Sequence, residues 1–261
     1  GEWVLLNGNQ TALMFVYYLI TRWKELGKIN GKEYIVKTIV TTELIRTIAE
    51  KNGVEVYDVY TGFKWIADVM KKNEGKKNYI GGGEESYGFL AEDFVRDKDA
   101  VSACAILAEI AAWAKDQGIT MYQLLQNIYV QYGFSKEKGI SVVKKGKSGA
   151  EEIEAMMKHF RENPLQEIAG SKVTLFYDYA SLKGKDYVEN ETLTLDMPTT
   201  SNVLQYFTED GTKVSIRPSG TEPKIKFYCE VHSKVKSIDE LPEAEKAAEE
   251  KINQIKASLG I

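Results

Sequence analysis

Histidine and cysteine are scarce in this sequence: two of each in 261 residues, His159 and His232, Cys104 and Cys229. Two histidines so far apart give no material for a Ser-His-Asp relay or an imidazole-based metal site. The cysteines lack Cys-x-x-Cys spacing and each sits in an apolar pattern, so both are expected to be buried thiols. Their small number suits a reducing compartment, and a cytoplasmic location is the expectation. The longest unbroken apolar run, Ala12 to Ile20, falls well short of the roughly 20 residues a spanning helix needs, and no charged-then-apolar signal segment opens the chain. The net charge of -4, from 34 Lys and Arg against 38 Asp and Glu, supplies no overall basic field. Nucleic acid and anionic membrane are therefore excluded as general partners, and any phosphate affinity must be local. Internal repeats and low-complexity tracts are also lacking.

What is present is periodicity. Helical patterns over Asn9 to Lys28, Thr42 to Asn52 and Gly62 to Lys72 alternate with strand patterns over Glu33 to Val40, Val54 to Val59 and Asn78 to Ile80. The glycine run Gly81 to Gly83 predicts a loop, followed by helices from about Asp97 to Lys115 and from Tyr122 to Gln131. This alternation predicts a parallel sheet with helices on both faces, a Rossmann-like three-layer α/β domain that binds ligands beyond the carboxyl ends of its strands. The Gly-, Lys- and Ser-rich stretch Gly133 to Gly149 reads as the connection, dividing the chain into domains 1–137 and 138–261. Beyond it come a charged helix, Ala150 to Arg161, and strands near Lys172 to Asp178, Val203 to Thr208, Thr212 to Arg217 and Lys224 to Val231. Asp210-Gly211 signals a hairpin turn. A last helix starts at the capping box Ser237 to Glu240 and carries the apolar stripe Leu241, Ala244, Ala248, Ile252, Ile255 and Leu259. This order predicts an α+β domain with an antiparallel sheet.

Two loops carry the chemistry. In Arg217-Pro218-Ser219-Gly220-Thr221-Glu222-Pro223-Lys224-Ile225-Lys226, the short hydroxyls and the glycine let backbone N–H groups converge on an anion, while the Arg217 guanidinium adds a planar fork suited to phosphate oxygens. Lys224 and Lys226 share the polar parity with Arg217. A plain hairpin with incidental cations fits the same residues. In Gly83-Glu84-Glu85-Ser86-Tyr87-Gly88 a carboxylate beside a hydroxyl can read a pair of sugar hydroxyls; a simple turn with solvated glutamates is the alternative. A nucleotide P-loop is excluded, because no Lys-Ser/Thr follows the glycines. Lys98 sits at a predicted helix start, where anions are favoured, and an ion pair with Asp97 or Asp99 is its plainer explanation. Lys37, in an otherwise apolar strand, calls for a partner.

These motifs, with Thr61-Gly62-Phe63-Lys64-Trp65 and Arg96 to Val101, occur in the order found in the α-D-phosphohexomutases, and the sequence resembles the bacterial phosphoglucomutase/phosphomannomutase branch over essentially its whole length. The resemblance implies the third domain of that superfamily followed by its TBP-like C-terminal domain. It implies substrate contacts from Lys37, Thr61, Glu84, Ser86 and Lys98, the last near the reacting phosphoryl group, with Glu85 pointing into supporting structure. Phosphate would be held by Arg217, Ser219, Gly220, Thr221, Lys224 and Lys226. Phe63 stands where some members have histidine, removing one polar contact. The family's phosphorylated serine loop and its Asp-x-Asp-x-Asp-Arg magnesium loop are not found here; Lys98, between Asp97 and Asp99, would repel a divalent cation. The first residues resemble the stretch just past the metal loop. The expectation is thus a C-terminal half that recognises a hexose phosphate but holds no metal and is inactive alone, completed by the N-terminal domains of the same protein. Magnesium would be bound by those domains. A non-catalytic sugar-phosphate-binding module is the other possibility.

Overall fold

A computed structural model describes residues 3–144, 146–220 and 222–261. The chain divides into two compact units, one reaching to Phe134 and including Lys234–Asp239, the other formed by Ser135–Ser233 and Glu240–Ile261. No helix among the described residues is long and apolar enough to cross a membrane.

In the first unit the order is α1 (Gly8–Glu25), β1 (Glu33–Thr38), α2 (Leu44–Lys51), β2 (Glu55–Val59), α3 (Phe63–Asn73), β3 (Asn78–Gly83), β4 (Phe89–Ala91), α4 (Ala100–Asp116) and α5 (Met121–Tyr132). The sheet runs β2-β1-β3-β4, with β1 parallel to β2 and β3 and with β4 antiparallel to β3. Every position of β1 is buried, as a strand covered on both faces requires. Tyr34 and Val36 pack with Phe63, Ile66 and Met70 of α3, while Ile35 and Lys37 take the opposite face. This is the α/β domain expected.

Some local expectations fail for physical reasons. Gly81 to Gly83 are not a loop but the buried carboxyl half of β3. A Cβ on Gly82 would stand 2.3 Å from the Val36 carbonyl oxygen, so this strand needs glycine for its neighbour to approach. Strand β4, three residues long, is too short to carry a period. Helix α4 is mostly apolar, yet only Ile110 and Ala114 are buried. Cys104 lies on its exposed side and is not the buried thiol expected. Cys229 is buried, which pushes its thiol pKa up to about 12.

The second unit contains β5 (Phe134–Val143), α6 (Gly146–Glu162), β6 (Glu167–Ile168), β7 (Ser171–Asp178), β8 (Lys183–Asp186), β9 (Glu191–Thr194), β10 (Leu204–Thr208), β11 (Lys213–Pro218), β12 (Lys224–Ser233) and α7 (Leu241–Leu259). The sheet order is β5-β12-β11-β10-β7-β8-β9, with β6 beside β7. The pairings among β6 to β12 are antiparallel, matching the α+β expectation. The Asp210-Gly211 turn forms as read, its Asp210 carboxylate accepting from the Thr208 hydroxyl at 2.7 Å and the Thr212 N–H at 3.2 Å. The segment read as a connection is instead strand β5 and the start of α6. The capping box does not form: Ile238–Glu240 is a 3-10 turn, and α7 opens at Leu241 with Pro242 in its first turn and no side-chain cap. The stripe is nevertheless core, with Leu241, Ala248, Ile252, Ile255 and Leu259 buried.

Strand β11 also departs from simple alternation, being buried from Lys213 to Ile216. Lys213, only 1% exposed, stands 2.9 Å from the Glu230 carboxylate on β12, and His232 Nε2 lies 3.0 Å from the other Glu230 oxygen. Burial alone would raise the Glu230 pKa, but the Lys213 and His232 charges outweigh it and hold the carboxyl well below its usual range. Burial likewise opposes protonation of His232, and Glu230 reverses that, raising the imidazole. The depressed Glu230 contributes stability that is complete above about pH 4.5 and lost as pH falls through its folded value. The raised His232 contributes stability that is complete below about pH 6.5 and lost as pH rises through its folded value. Urea unfolding should therefore show a midpoint that declines from pH 6 to pH 9, and His232→Gln should flatten that decline. Lys213→Met should cost about 3 kcal/mol, the low end for breaking a buried pair, because the buried Glu230 carboxylate keeps only His232 as counter-charge. A Lys213→Met/Glu230→Leu pair should recover most of the loss.

Candidate functional site

In the first unit, two connections at the carboxyl ends of the strands meet. The turn 84–88 joins β3 to β4, and residues 60–62 join β2 to α3. Glu84 is 9% exposed. Its N–H donates to the Gly88 carbonyl at 2.8 Å, closing the turn, and its carboxylate Oε1 accepts the Gly62 N–H at 2.7 Å. Each carboxylate oxygen can accept two bonds, so Glu84 keeps acceptor capacity for sugar hydroxyls. Its Oε2 and the Lys98 stem both close on Gly88, where an added Cβ would lie 3.2 Å from Oε2 and 3.1 Å from Lys98 Cδ. Thr61 is half-buried just before Gly62, and Ser86 is exposed at the tip of the turn. The structure thus brings Thr61, Glu84 and Lys98 to one end of the sheet, with Ser86 on the adjoining turn.

Lys98 precedes α4 and is over half exposed. Its ammonium pairs with Asp97 at 3.2 Å and stands 5.8 Å from the centroid of the Phe63 ring. The Phe63 ring is thus an aromatic face beneath a cation. Asp99 caps α4 by accepting the Ser102 N–H at 2.9 Å. Among the described residues, no group of three or more His, Cys, Asp and Glu side chains is placed to hold a metal ion.

Lys37 is buried among carboxylates at the carboxyl end of β1. It is 1% exposed, and its ammonium lies 2.8 Å from Glu43, 2.9 Å from Asp58 Oδ1 and 3.4 Å from the Thr41 carbonyl. The Asp58 contact is an ion contact without hydrogen-bond alignment, since Oδ1 has no hydrogen-bond partner. Arg46 bridges the same two carboxylates from the solvent side. The balanced charge braces the end of β1, where Lys37 pairs in register with Gly83, the residue before Glu84.

Neighbouring residues hold the turn. The Glu85 carboxylate points inward to the hydroxyls of Thr38 and Thr41 at 3.3 and 3.4 Å. The Tyr87 hydroxyl donates to the Leu6 carbonyl at 3.1 Å. At the start of α1, a Cβ on Gly8 would lie 1.8 Å from the Glu85 carbonyl oxygen, so only glycine lets this helix abut the turn. The signal for Thr38 and Thr41 is positional: Thr38 ends a buried parallel strand and Thr41 lies just past it.

In the second unit, the other loop closes the β11–β12 hairpin. Arg217 and Lys226 are directly opposed across the ladder, and both are half-buried. The Ser219 N–H donates to the Lys224 carbonyl at 2.7 Å, and the Lys144 N–H donates to the Pro223 carbonyl at 2.9 Å. Lys224 lies 3.4 Å from Glu222. Gly220 is exposed, with open space where a side chain would stand. Thr221 lies outside the described residues. Two like charges directly opposed across strands are destabilising by themselves, so the Arg217–Lys226 pair has the arrangement of an anion grip. His159 is exposed on α6, away from any such grouping.

An α/β unit with an acidic turn, followed by an α+β unit with a cationic hairpin, has counterparts among sugar-phosphate mutases. Residues 7–132 match the phosphoglucomutase/phosphomannomutase α/β/α domain III, and residues 142–255 match the C-terminal domain of the same proteins. The chain belongs to the phosphoglucomutase/phosphomannomutase family and comprises these two of its domains. It is 38% identical over 228 residues to a phosphoglucomutase of Staphylococcus aureus strain MRSA252, covering 87% of this chain and 40% of that protein. A phosphoglucomutase of Staphylococcus saprophyticus is 35% identical over 237 residues, 90% of this chain and 42% of the relative. The chain thus spans about two-fifths of these relatives. Among solved structures, Paramecium parafusin in its open form aligns with a TM-score of 0.57 at 18% identity, over 97% of this chain and 42% of its own. A family protein from Burkholderia thailandensis aligns with a TM-score of 0.57 at 13% identity, over 98% and 43%. These two alignments bear on the fold.

Lys37→Met removes the buried counter-charge of Glu43 and Asp58. Urea unfolding should show a loss of roughly 2 kcal/mol, below the 3–5 typical of breaking a fully buried pair, because Glu43 and Asp58 both reach solvent.

Proposed function

We propose that this chain is the recognition half of a phosphohexomutase that interconverts hexose 1-phosphate and hexose 6-phosphate through a phosphoserine and a bisphosphate intermediate. The observation that carries the reading is the Glu84 carboxylate, aimed by the Gly62 N–H at the carboxyl end of a parallel sheet, in a chain of this family. Glu84 and Ser86, with Thr61, would fix the sugar ring through its hydroxyls. Lys98 would balance charge near the reacting phosphoryl group, and Arg217, Ser219, Gly220, Thr221, Lys224 and Lys226 would hold the phosphate that is not transferred. Such chemistry depends on positioning and charge neutralisation. The phosphorylated serine and the ligands of magnesium, which would neutralise phosphate charge, would come from the N-terminal domains, so the chain alone would not turn over.

Calorimetric titration with glucose 1-phosphate should show binding that Arg217→Ala and Glu84→Ala each weaken about tenfold or more, the loss expected for a charge-assisted hydrogen bond. Equal affinity in all three proteins would remove the site. In a coupled assay the chain alone should give no mutase turnover, and measurable turnover would contradict the division of labour. The upstream reading frame should encode a serine loop and an Asp-x-Asp-x-Asp-Arg stretch; a start codon at Gly1 would favour a binding module instead.

A further inference from the structure

Thr38 Oγ1, Thr41 Oγ1 and Glu85 Oε2 form a triangle whose sides are 2.7, 3.3 and 3.4 Å. All three sides lie within hydrogen-bond reach, and making all three at once takes one proton between each pair of oxygens. The two hydroxyls supply two protons for three sides, and an ionised carboxylate supplies none. A proton on Glu85 would complete the ring, with each oxygen donating once and accepting once. We propose that Glu85 is a positioning residue for the turn carrying Glu84, and that it takes up a proton to close this ring and lock the turn. The proposal rests on the reading of Glu84 as a sugar contact.

Three features support it. Glu85 is largely withdrawn from water, and this burial, together with the adjacent Glu84 charge, raises its carboxyl pKa even though the threonine hydroxyls and its own backbone N–H pull the other way. The backbone is fixed on both flanks, by Gly8 beneath the Glu85 carbonyl and by the Tyr87 bond to Leu6. A rearrangement at Glu85 therefore has one direction in which to propagate, along the turn to Glu84 and Gly88. The charged groups around it are few. Glu84 shares its turn, and Lys37 reaches it only through the Thr41 carbonyl, with Glu43 and Asp58 behind. The α1 residues beside the turn, Asn7 to Gln10, carry no charge. Closing the ring also removes a negative charge from beside Glu84, which favours an anionic sugar ligand.

Two measurements on the full chain test this. The first follows the Glu85 side-chain carboxyl by carbon-13 NMR from pH 4 to pH 8, together with the Gly62 and Gly88 amide signals. Glu85 should titrate above the ordinary glutamate range, with both amides following its midpoint, and the amide steps should vanish in Glu85→Gln. An ordinary glutamate midpoint, or amides that do not follow it, would overturn the proposal. The second measures glucose 1-phosphate affinity in wild type and Glu85→Gln across the same range. The ligand's own phosphate titration, near pH 6, is common to both and cancels in the ratio. Wild type should lose about three- to tenfold relative to Glu85→Gln as pH rises, up to one unit of differential protonation. Glu85→Ala should weaken binding at all pH values. A ratio independent of pH would overturn the coupling. If no protein binds the ligand, the sugar-phosphate reading falls, and the NMR titration still decides the role of Glu85.

Discussion

The bond from the Gly62 amide to the Glu84 carboxylate is the constraint on which the first unit's site depends. It ties the β2–α3 connection to the β3–β4 turn, two segments far apart in sequence that leave the same end of one sheet. Parallel strands bring their carboxyl ends together, and the peptide dipole of one connection orients the charge of the other. The site is consequently preformed by backbone geometry, with side chains selected around it: glycine where chains touch, threonine where a buried hydroxyl is needed, and an aromatic ring under the lysine.

Charge is distributed with the same economy. Lys37 and Arg46 balance Glu43 and Asp58 at the end of β1, and Lys213 and His232 balance Glu230 on β11 and β12. Both clusters contain a lysine with almost no access to water. Each is anchored within secondary structure rather than in a loop, so the ion pairs brace the strands that present the candidate ligand-binding groups. Removing one partner of such a pair costs more than the pair contributes, because the remaining charge cannot regain its water.

The helices with a clear apolar stripe and the buried strands of both sheets were legible, since burial on a fixed face imposes a period on the residues. α1, β1, α2, β2, α3 and α5, and later β7 and β10 to β12, follow from that rule. Strands β8 and β9 escaped because they form a short polar ribbon with little buried surface. β5 escaped because its glycine and lysines look like a linker when read without their partner strand. At the candidate site, Glu84 and Arg217 were legible as chemical types in suggestive loops. The inward turn of Glu85 was implied by the resemblance, but its partners were not legible: the Thr38–Thr41 pair beneath it, like the Phe63 ring under Lys98, depends on contacts made across the fold. The surroundings of Lys37 were hidden for the same reason: its carboxylate partners lie six and twenty-one positions away in sequence and meet it only in the fold.

The ladder between β11 and β12 pairs Lys213 with Glu230 at one end and Arg217 with Lys226 at the other. Lys213 and Arg217 are separated by an even number of positions and so emerge on the same side of the pleat. A slip by a single residue would invert the strand, leaving the buried lysine without its carboxylate and turning the guanidinium to the other side. The ionic lock deep in the sheet therefore acts as an alignment key: by penalising every mispaired alternative, it guarantees that the cations at the distant tip always point the same way.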